Sequence, residues 1–250
     1  MSRWILLRGL TREAAHWGDF TDRMRAAFPN EDIRTPDLPG NGRLNTLQSP
    51  LRIAAMTDHC RCSLAQEGFN PPYRVLAMSM GAMVAVDWAA RYPGEIERLV
   101  LINTSLRGVS PFYRRLRAGR YPAIARQLIS NRTPLDREKF ILSLTSAHPS
   151  QHPDLPVTWA RIRESRPVST ANALRQLMAA ARFHLPPQKP VCPILLLASR
   201  HDRLVDPRCS RDLAHRWRCQ LRWHEAAGHD LPLDDGVWVA NQIQHWIAQT

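Results

Sequence analysis

Apolar positions along the chain fall into two spacings. Residues 3–8 (RWILLR) are a short apolar run that ends at Gly9, as a buried strand running into a turn would. Residues 73–78, 98–102, 194–198 and 221–224 read the same way, and residues 33–38 run into the loop Pro39-Gly40-Asn41-Gly42. Helical spacing lies between these runs. Ala14, Ala15, Phe20, Met24 and Phe28 mark a helix over residues 12–28 that Pro29 stops. Further helices are predicted over 53–66, over 81–91 before Pro93-Gly94, over 208–217 and over 237–248. Strands alternating with helices imply a mostly parallel sheet of about six strands with helices on both faces.

Residues 107–185 break the alternation, because no strand pattern occurs in them. Thr133-Pro134 has the form of a helix start, with threonine as cap and proline at the first helical position. Residues 169–184 carry the apolar stripe Leu174, Leu177, Met178 and Ala181, and Pro149, Pro153, Pro156, Pro167, Pro186 and Pro187 punctuate the rest. Several short helices are expected here. The division read from the sequence is an α/β core of 1–106 and 186–250 with a helical insertion, 107–185, between two strands.

With 44% hydrophobic and 22% charged residues, the 250-residue chain is globular in composition, which excludes disordered and fibrous classes. No apolar run approaches the length of a bilayer span, and the N-terminal one ends at Arg8, too soon for a signal-peptide core. Five cysteines, an odd number, fit free thiols in a reducing compartment, so a cytoplasmic location is expected. The net charge of +12 is unevenly placed. Residues 107–185 hold 13 arginines and Lys139 against Asp136, Glu138, Asp154 and Glu164, a net +10 that leaves +2 for the remainder. Lys139 and Lys189 are the chain's two lysines among 34 basic residues, so a coding bias toward arginine is one explanation of the composition but not of its placement.

Ala77-Met78-Ser79-Met80-Gly81 follows a strand and opens a helix, close to the G-x-S-x-G turn that exposes a nucleophilic serine. A plain helix N-cap is the alternative reading of that serine. Downstream, the strand at 194–198 leads to Asp202 and the last strand leads to Gly228-His229. A serine hydroxyl needs a base to take its proton, and the base needs a carboxylate to fix its tautomer. Ser79, Asp202 and His229, each just past a strand, supply those three groups, with Asp206 a competing acid. His148 and His152 share a four-residue spacing, but Pro149 and Pro153 argue against a helix there, so they read as loop histidines and no metal site is expected. Cys60 and Cys62 lack redox spacing. Trp159, Phe112, Phe183 and Met178 fit either core or the lining of a pocket.

Taken together, these motifs resemble the α/β-hydrolase family over nearly the whole chain. Arg8-Gly9-Leu10 is similar to its His-Gly-x oxyanion loop, and Asp37-Leu38-Pro39-Gly40-Asn41-Gly42 to its D-x-x-G-x-G loop. The resemblance implies Ser79 as nucleophile, His229 as general base and acid, Asp202 as orienting carboxylate, and the N–H groups of Leu10 and Met80 as the oxyanion hole. It also implies a helical cap at 107–185 and no cofactor. Three departures stand out. Arg8 replaces histidine, Ala77 replaces glycine, and the sequence opens directly on the strand before the oxyanion loop, so six strands are expected in place of eight. Serine at the elbow argues against the dehalogenases of this fold.

The expected activity is a carboxylesterase-like hydrolysis of a carboxylic ester or thioester, and the broad likeness is to small capped bacterial esterases such as the pimeloyl-[acyl-carrier protein] methyl ester esterases. A non-hydrolytic ligand-binding protein on the same fold, and an acyltransferase or C–C bond hydrolase with the same triad, are the alternatives. Arg114, Arg115, Arg117 and Arg120 concentrate charge, and a helix through 114, 117 and 120 would place it on one side, suited to an acidic acyl carrier protein or another anionic partner. Nucleic acid is disfavoured, since no nucleic-acid-binding motif accompanies the charge.

Overall fold

In the computed structural model, which describes residues 2–129 and 132–249, the apolar runs become one sheet. Its strands among the described residues are β1 (Arg3–Leu7), β2 (Asp32–Arg34), β3 (Tyr73–Met78), β4 (Ile96–Ile102), β5 (Ile194–Ser199) and β6 (Gln220–His224). They lie in the order β2-β1-β3-β4-β5-β6, every neighbouring pair parallel. Side chains alternate across a strand, so each run feeds two cores. Ile5, Val75, Leu99 and Leu196 enter one, and Trp4, Leu76, Val100 and Leu195 the other. Burial on both faces is why these strands read as continuous apolar runs.

Helices α2 (Ile53–Gln66), α3 (Met80–Arg91) and α9 (Arg208–Trp217) cover the first face, while α1 (Phe20–Ala27) and α10 (Leu231–Ile247) cover the second. Three elements differ from the sequence expectation. The helix expected over 12–28 splits into a 3-10 turn, Ala14–Trp17, and α1, with the break at Gly18. The strand expected over 33–38 shortens to β2, because Asp37 turns away to accept the N–H groups of Ala14 and Arg43 at 2.8 and 2.9 Å. Helix α10 starts six residues early and kinks at Asp235, whose backbone is not helical.

Between β4 and β5 the chain forms α4 (Phe112–Arg115), α5 (Tyr121–Ile129), α6 (Pro134–Thr145), α7 (Leu155–Ser165) and α8 (Thr170–Arg182). Thr133 and Ser169 cap α6 and α8 by accepting the N–H groups of Asp136 and Asn172, both at 3.1 Å. The ends of this stretch meet where Arg107 and His184 bridge and the Leu185 N–H donates to the Arg107 carbonyl at 2.8 Å. Polar contacts fasten the helices to the sheet domain. Glu138 of α6, fully buried, takes Arg12 at 2.8 Å and Arg163 of α7 at 2.6 Å. Burial alone would push its carboxyl pKa up, but the two guanidiniums hold it below the usual range.

Candidate active site

The turn between β3 and α3 places Ser79 at the C-terminal edge of the sheet with φ 53° and ψ −119°. That left-handed conformation is strained for a serine and is the signature of an exposed elbow. The surroundings hold it there: the Ser79 N–H donates to the Ile102 carbonyl at 3.0 Å, and the Thr104 hydroxyl donates to the Ser79 carbonyl at 3.0 Å. Gly81 explains the small residue two places on. A Cβ there would fall 2.6 Å from the Leu7 carbonyl oxygen and closer still to that of Arg8. Ala77, in place of the usual glycine, is fully buried between Leu7 and Leu101 on the neighbouring strands.

The loop after β1 presses on the serine from the other side, since a Cβ on Gly9 would lie 3.1 Å from that of Ser79. Leu10 follows it. Met80 opens α3, where backbone N–H groups have no partner within the helix and the helix dipole favours negative charge.

His229 and Asp202, 3% and 2% exposed, meet with Nδ1 and Oδ2 2.7 Å apart. The other oxygen of Asp202 accepts the N–H groups of Leu204 and Val205, both at 2.8 Å, so the carboxylate is held at both ends. Burial lowers the imidazole pKa, Asp202 raises it more, and the result lies above the ordinary histidine value. Asp206 is occupied elsewhere: Arg208 grips its carboxylate, with contacts from 2.7 to 3.1 Å, and holds it below the usual carboxylate range. Asp202, not Asp206, is the carboxylate that reaches His229.

Arg8, the departure from the family's histidine, forms a buried bidentate ion pair with Asp230 at 3.0 and 2.6 Å. Arg8 also lies over the Trp17 ring at 4.7 Å. Burial would raise the Asp230 pKa, and Arg8 holds it below the usual range. The pair links the strand that leads into Gly9-Leu10 to the residue after His229. Asn103 was not anticipated. Its side chain, just past β4, donates to the His229 carbonyl at 2.8 Å and accepts the Ser199 N–H at 2.9 Å, tying the Asp202 and His229 loops together. A polar residue directly after a buried strand was the available signal.

Ser79, Met80, Leu10 and His229 open on one cavity of about 1100 Å³, large even for a ligand pocket. Apolar side chains of the inserted helices line it, among them Phe112, Ile124, Phe140, Leu144 and Leu177. Phe112 and Leu174 line it and yet are 72% and 47% exposed, which marks its mouth between α4 and α8. Of the other aromatic and sulfur candidates, Trp159 is buried against Arg12 and His16, Phe183 packs on the core and Met178 is exposed.

The four arginines do not share a helix face. Helix α4 ends after Arg115, Leu116 is extended, and a 3-10 turn, Ala118–Arg120, follows, because the Arg117 N–H is drawn to the Leu204 carbonyl at 2.9 Å. Arg114 lies 3.7 Å from Asp212, and Arg120 donates to the Arg203 carbonyl at 3.3 Å. Arg115 caps the end of α8 through the Ala180 and Ala181 carbonyls at 2.6 and 3.1 Å. His148 and His152 flank a 3-10 turn, Pro149–Gln151, and no cluster able to hold a metal ion lies among the described residues. Cys60 is buried, its thiol pushed up to about 12 by desolvation, while Cys62 is exposed. No helix among the described residues is long and apolar enough to cross a membrane.

Residues 53–236, well over half of the chain and including Ser79, Asp202 and His229, match the hydrolase family Hydrolase_4, described as serine aminopeptidase S33. The chain belongs to that family. It is thus a hydrolase by family and an α/β-hydrolase by fold. Over 101 residues it is 33% identical to the pimeloyl-[acyl-carrier protein] methyl ester esterase of Aromatoleum aromaticum, which covers 40% of this chain and 36% of that enzyme. Among solved structures, a thermophilic esterase from Thermogutta terrifontis superposes with a TM-score of 0.77 at 20% identity, over 100% of this chain and 90% of that one. The enol-lactonase of Burkholderia xenovorans LB400 does so with a TM-score of 0.75 at 19% identity, over 100% and 91%. At those identities the superpositions speak for the fold alone.

Proposed function

We propose that this hydrolase cleaves a carboxylic ester or thioester through an acyl-enzyme on Ser79. The observation that carries the reading is the buried Asp202–His229 pair, which opens on the same cavity as a strained serine. In this mechanism Nε2 of His229 takes the Ser79 proton as Oγ attacks the carbonyl. The N–H groups of Leu10 and Met80 receive the negative charge that develops on oxygen. His229 then protonates the leaving alcohol or thiol, and water reverses the sequence to release the acid. Residues 107–185 act as a cap whose apolar interior receives the acyl chain.

The test is reaction with a fluorophosphonate probe and turnover of a panel of esters, thioesters and diketones. Labelling and ester or thioester cleavage that both vanish in Ser79→Ala and His229→Ala are the expected result. Labelling with diketone cleavage alone would indicate a C–C bond hydrolase, and no labelling would indicate a ligand-binding protein.

The net +10 on residues 107–185 supports an anionic substrate, and Arg107, Arg115, Arg137 and Arg163 of that stretch line the cavity. An acidic acyl carrier protein is the partner we propose, in line with the name of the Aromatoleum relative. Steering of this kind fades as salt shortens the Debye length, about 10 Å at 0.1 M. Salt should therefore lower kcat/KM for a carrier-linked ester and leave a small neutral ester unaffected, and Arg114→Glu, Arg117→Glu and Arg120→Glu together should mimic high salt. Equal salt responses for both substrates, unaltered by the charge reversal, would remove the carrier from the proposal.

A further inference from the structure

We propose that Gln176, on the inserted helix α8, is a positioning residue that holds the oxyanion-side loop in shape through the backbone of Thr11. The proposal rests on the reading of Leu10 as an oxyanion donor. Residues 9–12 form a tight turn closed by the Arg12 N–H on the Gly9 carbonyl at 3.3 Å. Thr11, its third residue, has φ +55°. Turns with a positive φ at that place favour glycine or asparagine there, and a β-branched residue resists it. Left to itself, the Leu10–Thr11 peptide would rotate toward the ordinary form, which swings the Leu10 carbonyl and, through the shared Leu10 Cα, disturbs the Gly9–Leu10 peptide that carries the Leu10 N–H.

What opposes that rotation is a hydrogen bond from the other part of the molecule. The Thr11 N–H donates to Oε1 of Gln176 at 2.8 Å. Gln176 has no exposed surface, and its amide cannot turn over without loss. Nε2 donates to Oδ1 of Asn41 at 2.8 Å and to the Ser49 hydroxyl at 3.0 Å, while that hydroxyl is committed as a donor to the Pro39 carbonyl at 2.7 Å. Every polar atom of the amide is therefore used, and the acceptor must face Thr11. Asn172, one turn earlier on α8, makes the neighbouring contacts to Ser49 and Leu47 but none to the oxyanion-side loop. Asn172, Arg175 and Gln176 of one helix thus share the docking, and Gln176 is the one that touches the turn.

The experiment measures hydrolysis of p-nitrophenyl butyrate by Gln176→Met, which is close in shape but offers no amide acceptor, with the folded fraction set by circular dichroism. Loss of the outright donor from an oxyanion hole costs about 10²–10³ in kcat. A donor that is only misaimed should cost about ten- to a hundredfold, with KM within about twofold, since the oxyanion exists in the transition state and not in the bound ester. Thr11→Gly added to Gln176→Met should recover most of the loss, because glycine adopts positive φ freely. Asn172→Ala should lower Tm and leave kcat unchanged. A kcat for Gln176→Met within twofold of wild type, a loss that Thr11→Gly does not relieve, or the same loss in Asn172→Ala would each overturn the proposal. Ser79→Ala, run alongside, keeps the two readings apart. Turnover that depends on Ser79 with an unaffected Gln176 variant refutes the positioning role alone, and turnover independent of Ser79 refutes both.

Discussion

Replacing Arg8 by methionine, or Asp230 by asparagine, breaks a buried ion pair from opposite sides, and the two breaks are not equivalent. Both side chains are about 5% exposed and the pair is bidentate. Removing one member of such a pair typically costs about 3–5 kcal/mol, because the other charge stays buried without a partner. Against a total stability of about 5–15 kcal/mol that is severe but survivable. The double variant Arg8→Met/Asp230→Asn leaves no stranded charge, so it should lose far less than the sum of the two singles.

The survivors then respond differently to pH. Arginine cannot lose its proton, so in Asp230→Asn the stranded positive charge persists beside His229 and should pull the imidazole pKa down. In Arg8→Met the stranded carboxyl can protonate, and burial without Arg8 should raise its pKa above the unfolded value. The sign of the linkage therefore reverses. In the wild type the Asp230 pKa is depressed, so its contribution to stability is present above the unfolded carboxyl pKa and disappears as pH falls through the folded one. In Arg8→Met the pKa is raised, so stability falls as pH rises through it, by at most about 1.4 kcal/mol per pH unit. Urea denaturation of the four proteins between pH 4 and 8 reads both effects. Single variants that each lose less than about 1 kcal/mol, with pH slopes parallel to the wild type, would refute a dry ion pair at this place.

Three further outcomes follow from the same geometry. Asp202→Asn should lower kcat by about 10⁴, as in other triads, while Asp206→Asn, whose carboxylate is held by Arg208, should change it little; steady-state kinetics that rank them the other way would move the acid to Asp206. Leu10→Ala should be tolerated, whereas Leu10→Pro, which removes the N–H, should lower turnover much more than it lowers Tm; equal damage to both would make the residue a structural turn only. The acid limb of the kcat/KM profile should lie above the ordinary histidine pKa, because His229 acts as base when neutral and its pKa is raised; a limb below pH 6 would contradict the Asp202 contribution.

Much of the sheet was legible in the residues because it is written locally. An apolar run buried on both faces needs no knowledge of its partners, and the strand predicted at 73–78 and the helix predicted at 208–217 match β3 and α9 residue for residue. The misplaced elements are those decided by distant groups. Residues 33–38 look like a strand until Asp37 is seen to accept N–H groups from the segment after β1 and from its own loop. Residues 114–120 carry a helical spacing of arginines, yet Leu204, almost ninety residues on, draws the Arg117 N–H out of it.

The same distinction divides the candidate site. Ser79, Asp202 and His229 each lie at a strand end, where backbone pattern and small neighbours point to them. The groups that hold the surrounding loops are joined across most of the chain: Arg8 to Asp230 over 222 positions, Arg12 to Glu138 over 126, Thr11 to Gln176 over 165. No spacing rule can pair residues so far apart, and each partner alone reads as an ordinary charged or amide residue. The departure from the family pattern at residue 8 becomes intelligible only with Asp230 in view. A histidine in that position would leave Asp230 without its two guanidinium bonds, so the choice of residue at position 8 is coupled to the residue at 230. The insertion is tied in by the same logic. Through Glu138 and Gln176 it grips the residues that follow Leu10, and Thr145 of α6 accepts the Asp230 N–H at 2.8 Å on the His229 side. Helices that cover the cavity therefore also brace both loops that border Ser79, and a variant that loosens the insertion should lower kcat before it alters which acyl chains are accepted.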